Sequence, residues 1–173
     1  MSVRPDSIVV AASVPLATVV VGWFVPSKRE LFRQERLPAF NIDGEAGEFY
    51  GTPEFSIPGF KFGRVPDDLQ EVDPATRRDP TRAEKRRLRE EASRYLAYED
   101  GPTMRLDACL VTHSPDDHFV VDAVPDEPNV VVGAGFSGHG FKFCPVIGEI
   151  LADLVETGDS DHDTSKFRLD RRH

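Results

Sequence analysis

Three glycines, at 135, 138 and 140, stand close together, and Lys142 follows two residues after the last. Before them, 129–134 (NVVVGA) is an apolar run of the kind that forms a strand buried on both faces. After them, Phe143, Val146, Ile147, Ile150, Leu151 and Leu154 form the apolar stripe of a helix. Strand, glycine turn and helix start together can cradle a ligand. Glycine lets the backbone come close and take positive φ. The unpaired N–H groups of a first helical turn, with the helix dipole, favour negative charge. A lysine in that first turn opposes the dipole, so an anionic or electron-rich ligand would explain Lys142. A tight turn with a snorkelling lysine is the alternative.

Gly133, Gly135 and Gly138 also spell G-x-G-x-x-G. The dinucleotide fingerprint needs a βαβ unit around it. Here no strand pattern follows the helix, and Asp153, at the spacing of a ribose-binding acid, falls inside that helix. There is no P-loop. The two cysteines, Cys109 and Cys144, fit no zinc spacing and no C-x-x-C pair, and two are too few for a disulfide scaffold. A reducing, cytoplasmic setting is the default, with core packing expected for Cys144. The histidines at 113, 118, 139, 162 and 173 form no metal-ligand pattern. With 30 acidic against 21 basic residues the formal charge is −9, which argues against a phosphate-backbone binder. The basic run 77–89 is interleaved with Asp79 and Glu84 and reads as a solvated helix face.

These residues need elements to position them. Residues 8–12 (IVVAA) and 19–25 read as buried strands, and 28–36 as a helical turn or loop anchored by Leu31 and Phe32. Residues 38–42 and 48–51 read as a hairpin turning on Asp43-Gly44. A further strand covers 60–65, and 65–80 is loop-like. Thr81 and Glu84 form a capping box, opening a helix to about Leu96 whose apolar face is Leu88, Ala92, Tyr95 and Leu96. Residues 105–112 alternate as a strand, with Leu106, Ala108, Leu110 and Thr112 on one face and Asp107, Cys109 and Val111 on the other. Residues 119–122 are another strand. Gly158 is a stop signal for the last helix, and a loose polar tail is expected beyond it.

Residues 7–27 carry no charge and are long enough to span a bilayer. Pro15, Gly22 and the many β-branched residues favour buried strands instead. A membrane-anchored binding protein is the weaker alternative.

At 135–143 (GFSGHGFKF), followed by 146–151 (VIGEIL), the chain resembles the C-terminal flavin-contacting segment of the monomeric sarcosine oxidase and N-methyl-tryptophan oxidase family, within the D-amino-acid oxidase superfamily. Residues 117–122 (DHFVVD), Pro125 and 128–132 (PNVVV) are similar to the family's stretch before that turn. Residues 20–24 (VVGWF), 50–53 (YGTP) and 59–63 (GFKFG) look like its substrate-domain strands. The resemblance implies an α+β fold: a mostly antiparallel substrate-domain sheet with one packed helix, ending in a strand, glycine turn and helix from an FAD-binding domain. Residues 1–14 would be a remnant FAD-domain strand, 15–116 substrate domain, 117–157 FAD-binding domain and 158–173 the tail.

The implied activity is oxidation of a secondary amine of an N-methyl amino acid with FAD, oxygen being the acceptor and hydrogen peroxide a product. The family attaches FAD through a cysteine sulfur, and Cys109 matches that position. Lys61 matches the lysine that promotes reaction with oxygen. Lys142 matches the lysine that helps bind the substrate carboxylate, and Tyr50 an active-site tyrosine. Gly138, His139, Gly140, Phe141 and Lys142 are the implied backbone contacts to flavin, His139 having no obvious side-chain partner. The chain departs from the family at Val65, where a histidine is usual, and at Val111, where a tyrosine is usual. Those losses point to a more apolar pocket or to decayed activity.

The family's N-terminal half, with its strand, G-x-G-x-x-G and helix for the ADP part of FAD, has no counterpart near residue 1. Residues 8–13 resemble a family strand that here meets Pro15-Leu16 without the usual intervening helix. This suggests a truncation with a small internal deletion. Either a separately encoded N-terminal half completes the enzyme, or the chain is a non-catalytic remnant that does not bind FAD by itself.

Overall fold

The computed structural model describes the backbone of residues 8–10 and residues 16–66, 71–73, 75, 78–127 and 129–171. The chain forms two compact units, one holding Ile8–Val10 and residues 111–171, the other residues 18–110.

In the second unit five strands make one sheet: β2 (Leu16–Phe24), β3 (Phe40–Gly44), β4 (Gly47–Thr52), β5 (Phe60–Arg64) and β6 (Thr103–Thr112). The spatial order is β3-β4-β5-β2-β6, with β3/β4, β4/β5 and β5/β2 antiparallel. One face carries Phe24, Phe49, Phe60 and Phe62, all almost completely buried. Each such ring contributes about 1.5–3 kcal/mol by leaving water. Helix α1 (Arg82–Tyr95) covers this face with the expected residues, Leu88 and Ala92 buried and Tyr95 and Leu96 packed beside them.

The capping box is present: Thr81 Oγ1 accepts from the Glu84 amide, and the Glu84 carboxylate accepts from the Thr81 amide. The Arg78 guanidinium, and then the Thr81 groups, hold the Glu84 carboxyl at about 2. The basic run is less solvated than its composition implies. Arg89 lies over the Phe24 ring at 5.2 Å and donates to the Gly101 carbonyl. Arg77 and much of the 65–80 loop lie outside the described residues.

The hairpin forms, but not on Asp43-Gly44. Those two residues remain in β3, Gly44 pairs with Gly47, and Glu45-Ala46 make the turn, with Gly47 at φ 115°. Gly44 has another use: a Cβ there would meet the Tyr95 hydroxyl at 2.6 Å, so it admits the helix. In the loop after β2, a 3₁₀ turn at Arg29–Leu31, Phe32 is buried but Leu31 is 41% exposed and anchors nothing.

In the first unit β8 (Val130–Ala134) runs between β1 (Ile8–Val10), to which it is parallel, and β7 (Val120–Ala123), to which it is antiparallel. Helix α2 (Cys144–Glu156) buries Ile147 and Ile150 beside Phe119 and Val121, with Pro145 in its first turn. The helix stops before Gly158, which takes φ 83°. Two expectations fail here. Cys144 is exposed: it lies three residues before Ile147, but as the first residue of α2 it stands ahead of the turns that bury Ile147 and Ile150. The tail is not loose. Phe167 stacks on Phe119 at 5.6 Å, the Leu169 amide donates to Asp122, and Arg171 grips Asp116.

Residues 11–15, which held part of the first expected strand, lie outside the described residues. The uncharged 7–27 segment supplies β2, and among the described residues no helix is long and apolar enough to cross a membrane.

Candidate functional site

The face of the five-stranded sheet away from α1 carries the polar side chains. Strand alternation and register line them up. Trp23 and Thr52 flank Lys61 across β2, β5 and β4, and Val21 and Tyr50 flank Gly63 in the next row. The Tyr50 ring lies across Gly63, where a Cβ would meet Tyr50 Cζ at 2.7 Å. Lys61 Nζ stands 5.5 Å from the Tyr50 ring centre and 5.8 Å from that of Trp23. Arg105, from β6, approaches the same Trp23 ring at 5.5 Å and pairs with Asp107. Lys61 is half-buried, and no carboxylate pairs with it among the described residues. Its charge lies beside two aromatic rings, which hold a cation without neutralising it.

Burial pushes the Tyr50 phenol up to about 12, and the nearby Cys109 adds to the shift. At neutral pH Tyr50 is thus a hydrogen-bond donor and not a base. The fold favours the neutral phenol, so this contribution to stability is intact below about pH 10 and is lost as pH rises through about 12. In an alkaline titration followed by tyrosinate absorbance, the highest of the transitions should vanish in Tyr50→Phe. If it survives, the buried phenol has been misassigned.

Cys109 is exposed on β6, not a buried apolar filler. It opens on a cleft of about 520 Å³ with Thr18, Arg78 and Asp107 among its lining. Val65 is 41% exposed just beyond β5.

The second constellation is the turn between β8 and α2. Gly135, Ser137 and Gly138 all take positive φ, 62°, 47° and 77°. Ser137 is buried, and its hydroxyl donates to the Gly135 carbonyl at 3.0 Å. Amides of His139 and Phe143 bond to carbonyls of Phe136 and Gly140. Among the described residues the amides of Gly138, Phe141 and Lys142 meet no backbone carbonyl. Gly138 and His139 are exposed, whereas Gly140 is buried against Phe136. Phe141 is 93% exposed. Lys142 lies in a 3₁₀ turn, Phe141–Phe143, just ahead of α2 and not in the helix's own first turn. A Cβ on Gly138 would sit 3.3 Å from Val111, so Val111 touches the turn.

His139 does have side-chain partners. Its ring lies 5.0 Å from Phe119, and Nε2–H donates to the Asp117 carbonyl at 3.2 Å, which fixes the tautomer. Sequence reasoning missed this contact, and missed Trp23 as a neighbour of Lys61 and Arg105 as a second cation on the Trp23 ring. Only the period-2 alternation could have pointed to them, and it is silent about which strands pair.

The donor set fits a flavin. Open backbone amides, a glycine with no side chain to block approach and the Lys142 ammonium suit an electron-rich ring edge. Residues 6–154 match the protein family described as FAD dependent oxidoreductase. The chain belongs to that family.

Within the FAD dependent oxidoreductases, the chain is 39% identical over 155 residues to monomeric sarcosine oxidase of Bacillus sp. (strain NS-129), covering 88% of this chain and 40% of that protein. It is 48% identical over 64 residues to N-methyl-L-tryptophan oxidase of Escherichia coli O139:H28, covering 37% of this chain and 17% of that one. In fold it resembles L-proline dehydrogenase from P. horikoshii, with a TM-score of 0.74 over 92% of this chain and 40% of that one, at 22% identity. The chain spans about 40% of the length of the sarcosine oxidases it matches.

Proposed function

We propose that this chain forms the substrate-domain sheet and the C-terminal flavin contact of an FAD-dependent amine oxidase. The substrate is a secondary amine of the N-methyl amino acid class, oxygen is the acceptor and hydrogen peroxide a product. One observation carries this reading: a half-buried ammonium, Lys61, held uncompensated between two aromatic rings on the same sheet as an exposed thiol, Cys109. A charge placed so has little structural use, but it stabilises negative charge that develops in a reaction.

In this reading FAD supplies the two-electron acceptor. Cys109 Sγ is the point of covalent attachment. The backbone of 138–142 contacts the flavin, and Lys142 attracts the substrate carboxylate. Tyr50, protonated at neutral pH, donates a hydrogen bond to substrate. Val65 and Val111 stand where relatives of this type keep polar groups, so the amine carries an apolar substituent larger than that of sarcosine. An N-terminal half with a dinucleotide fingerprint, outside these residues, supplies the ADP-binding part.

Co-expression with such a half, followed by acid precipitation, tests the assignment. The wild-type pellet should be yellow, and Cys109→Ala should give a colourless pellet from a protein that still folds. A colourless wild-type pellet removes the covalent link. If FAD is also absent before acid treatment, the non-catalytic reading takes over.

A further inference from the structure

Two chains of contact join the C-terminal segment to the glycine turn, all within the first unit. The aromatic one runs through Phe119, which is 5% exposed. Phe167 stacks on one side of it at 5.6 Å, while Phe136, His139 and Phe143 meet it at 5.2, 5.0 and 5.4 Å. The polar chain starts at Arg171, whose guanidinium takes both Asp116 oxygens at 2.7 and 2.9 Å and the His118 carbonyl at 3.2 Å. The Ser114 hydroxyl donates to that same His118 carbonyl at 2.6 Å. The Ser114 amide in turn donates to Ser137 Oγ at 3.3 Å. Ser137 then donates to the Gly135 carbonyl. Loop 113–119 is therefore held by the tail on one side and itself holds the turn on the other.

We infer that the C-terminal segment is a strap, and that Phe167 and Arg171 are positioning residues that set the conformation of the glycine turn through Phe119 and Ser114. The need for a strap follows from the turn's backbone. Positive φ at Ser137 is unfavourable for a residue with a Cβ and persists only where surrounding contacts over-determine it. Within 135–140 only Gly138 and His139 are exposed, and the buried Ser137 is held from outside the turn by Ser114. A bidentate Arg–carboxylate pair fixes direction as well as distance, and the Phe167 stack closes the aromatic cluster. That the ordered turn serves flavin rests on the function proposed above; the mechanical link does not.

The test uses the full chain, isotopically labelled, with Phe167→Ala, Arg171→Gln and the milder Arg171→Lys. Amide exchange is read at His139 and Phe143, whose N–H groups are bonded inside the turn, and at Ile150 and Leu151 in α2 as internal reference. We expect exchange at 139 and 143 to quicken about tenfold in Phe167→Ala and Arg171→Gln, with α2 unchanged and Arg171→Lys intermediate. Equal quickening in α2 would mean that the strap adds only global stability, and no change at the turn would end the proposal outright. If Phe167→Ala fails to fold, Arg171→Lys decides. Titration with FAD separates the two claims. No FAD binding by wild type in the presence of the N-terminal half, with a turn that still responds, overturns the flavin reading and leaves the strap standing. Equal FAD affinity in wild type and in variants with a loosened turn shows that the strap does not position a flavin contact.

Discussion

On the function proposed above, Lys61→Met in the FAD-loaded protein should slow reoxidation by oxygen about 10²–10³-fold while changing reduction by the amine less than tenfold. The asymmetry follows from the local charge. Lys61 is held 5.5 and 5.8 Å from the Tyr50 and Trp23 ring centres, and no carboxylate pairs with it among the described residues. Its positive charge is therefore available to a partner that becomes negative, as oxygen does on taking electrons. Methionine keeps the length and the apolar stem but removes the charge, so the sheet should be undisturbed. Stopped-flow measurement of the two half-reactions checks this. Equal slowing of both would place Lys61 in substrate binding or packing. An effect below about tenfold on reoxidation would remove it from the chemistry. Arg105, the other cation on Trp23, is already paired with Asp107, so Arg105→Met should have a much smaller effect on the oxygen step.

Glu91→Ala should destabilise the protein by about 3–5 kcal/mol, the range for stripping one partner from a buried ion pair. Glu91 is 5% exposed on the inner side of α1. Its Oε1 accepts from Arg64 at 2.7 Å and from Arg87 at 3.0 Å. Arg64 reaches up from β5, donates to the Ala46 carbonyl at 2.6 Å and lies 5.4 Å from the Phe49 ring. The helix is thereby tied to the strand that carries Lys61 on its opposite face. Losing the carboxylate leaves the Arg64 guanidinium half-sequestered beside an empty space, and the melting temperature should fall by about 10 °C. The paired change Arg64→Met with Glu91→Leu should recover much of the loss, because an apolar pair has no charge to desolvate. A single-variant cost below about 1 kcal/mol would show that the phenylalanine layer alone holds α1 in place.

Much of this architecture was legible before any coordinates. The capping box at Thr81 and Glu84, the apolar faces of both helices and the run of strands on either side of α1 are short-range patterns. Their causes lie within a few residues, in a side-chain oxygen meeting an N–H group or in the 3.6- or 2-residue period of exposure. The glycine turn is local in the same sense: a strand, positive-φ positions and a helix start can be read from 129–154 alone. The resemblance to flavin-dependent amine oxidases rests on that same stretch, and the match over residues 6–154 bears out the family.

Where the reading failed, the deciding contact lay far along the chain. Asp43-Gly44 has the composition of a hairpin turn, yet Gly44 stays in β3 because Tyr95, on α1, needs the space. Polar composition made the tail look loose. It docks because Phe167 and Arg171 find Phe119 and Asp116, some fifty residues upstream. Glu91 on α1 finds its partner Arg64 on β5, 27 residues away. The sequence alone determined which segments are strands and helices and where the glycine turn stands, since propensity, periodicity and capping act within a turn or two. Strand register and the closing of long loops are set by the sum of many weak, non-local contacts. Only the tertiary structure therefore decided that Trp23 and Tyr50 flank Lys61, that both cysteines face outward, and that Phe167 and Arg171 dock on Phe119 and Asp116.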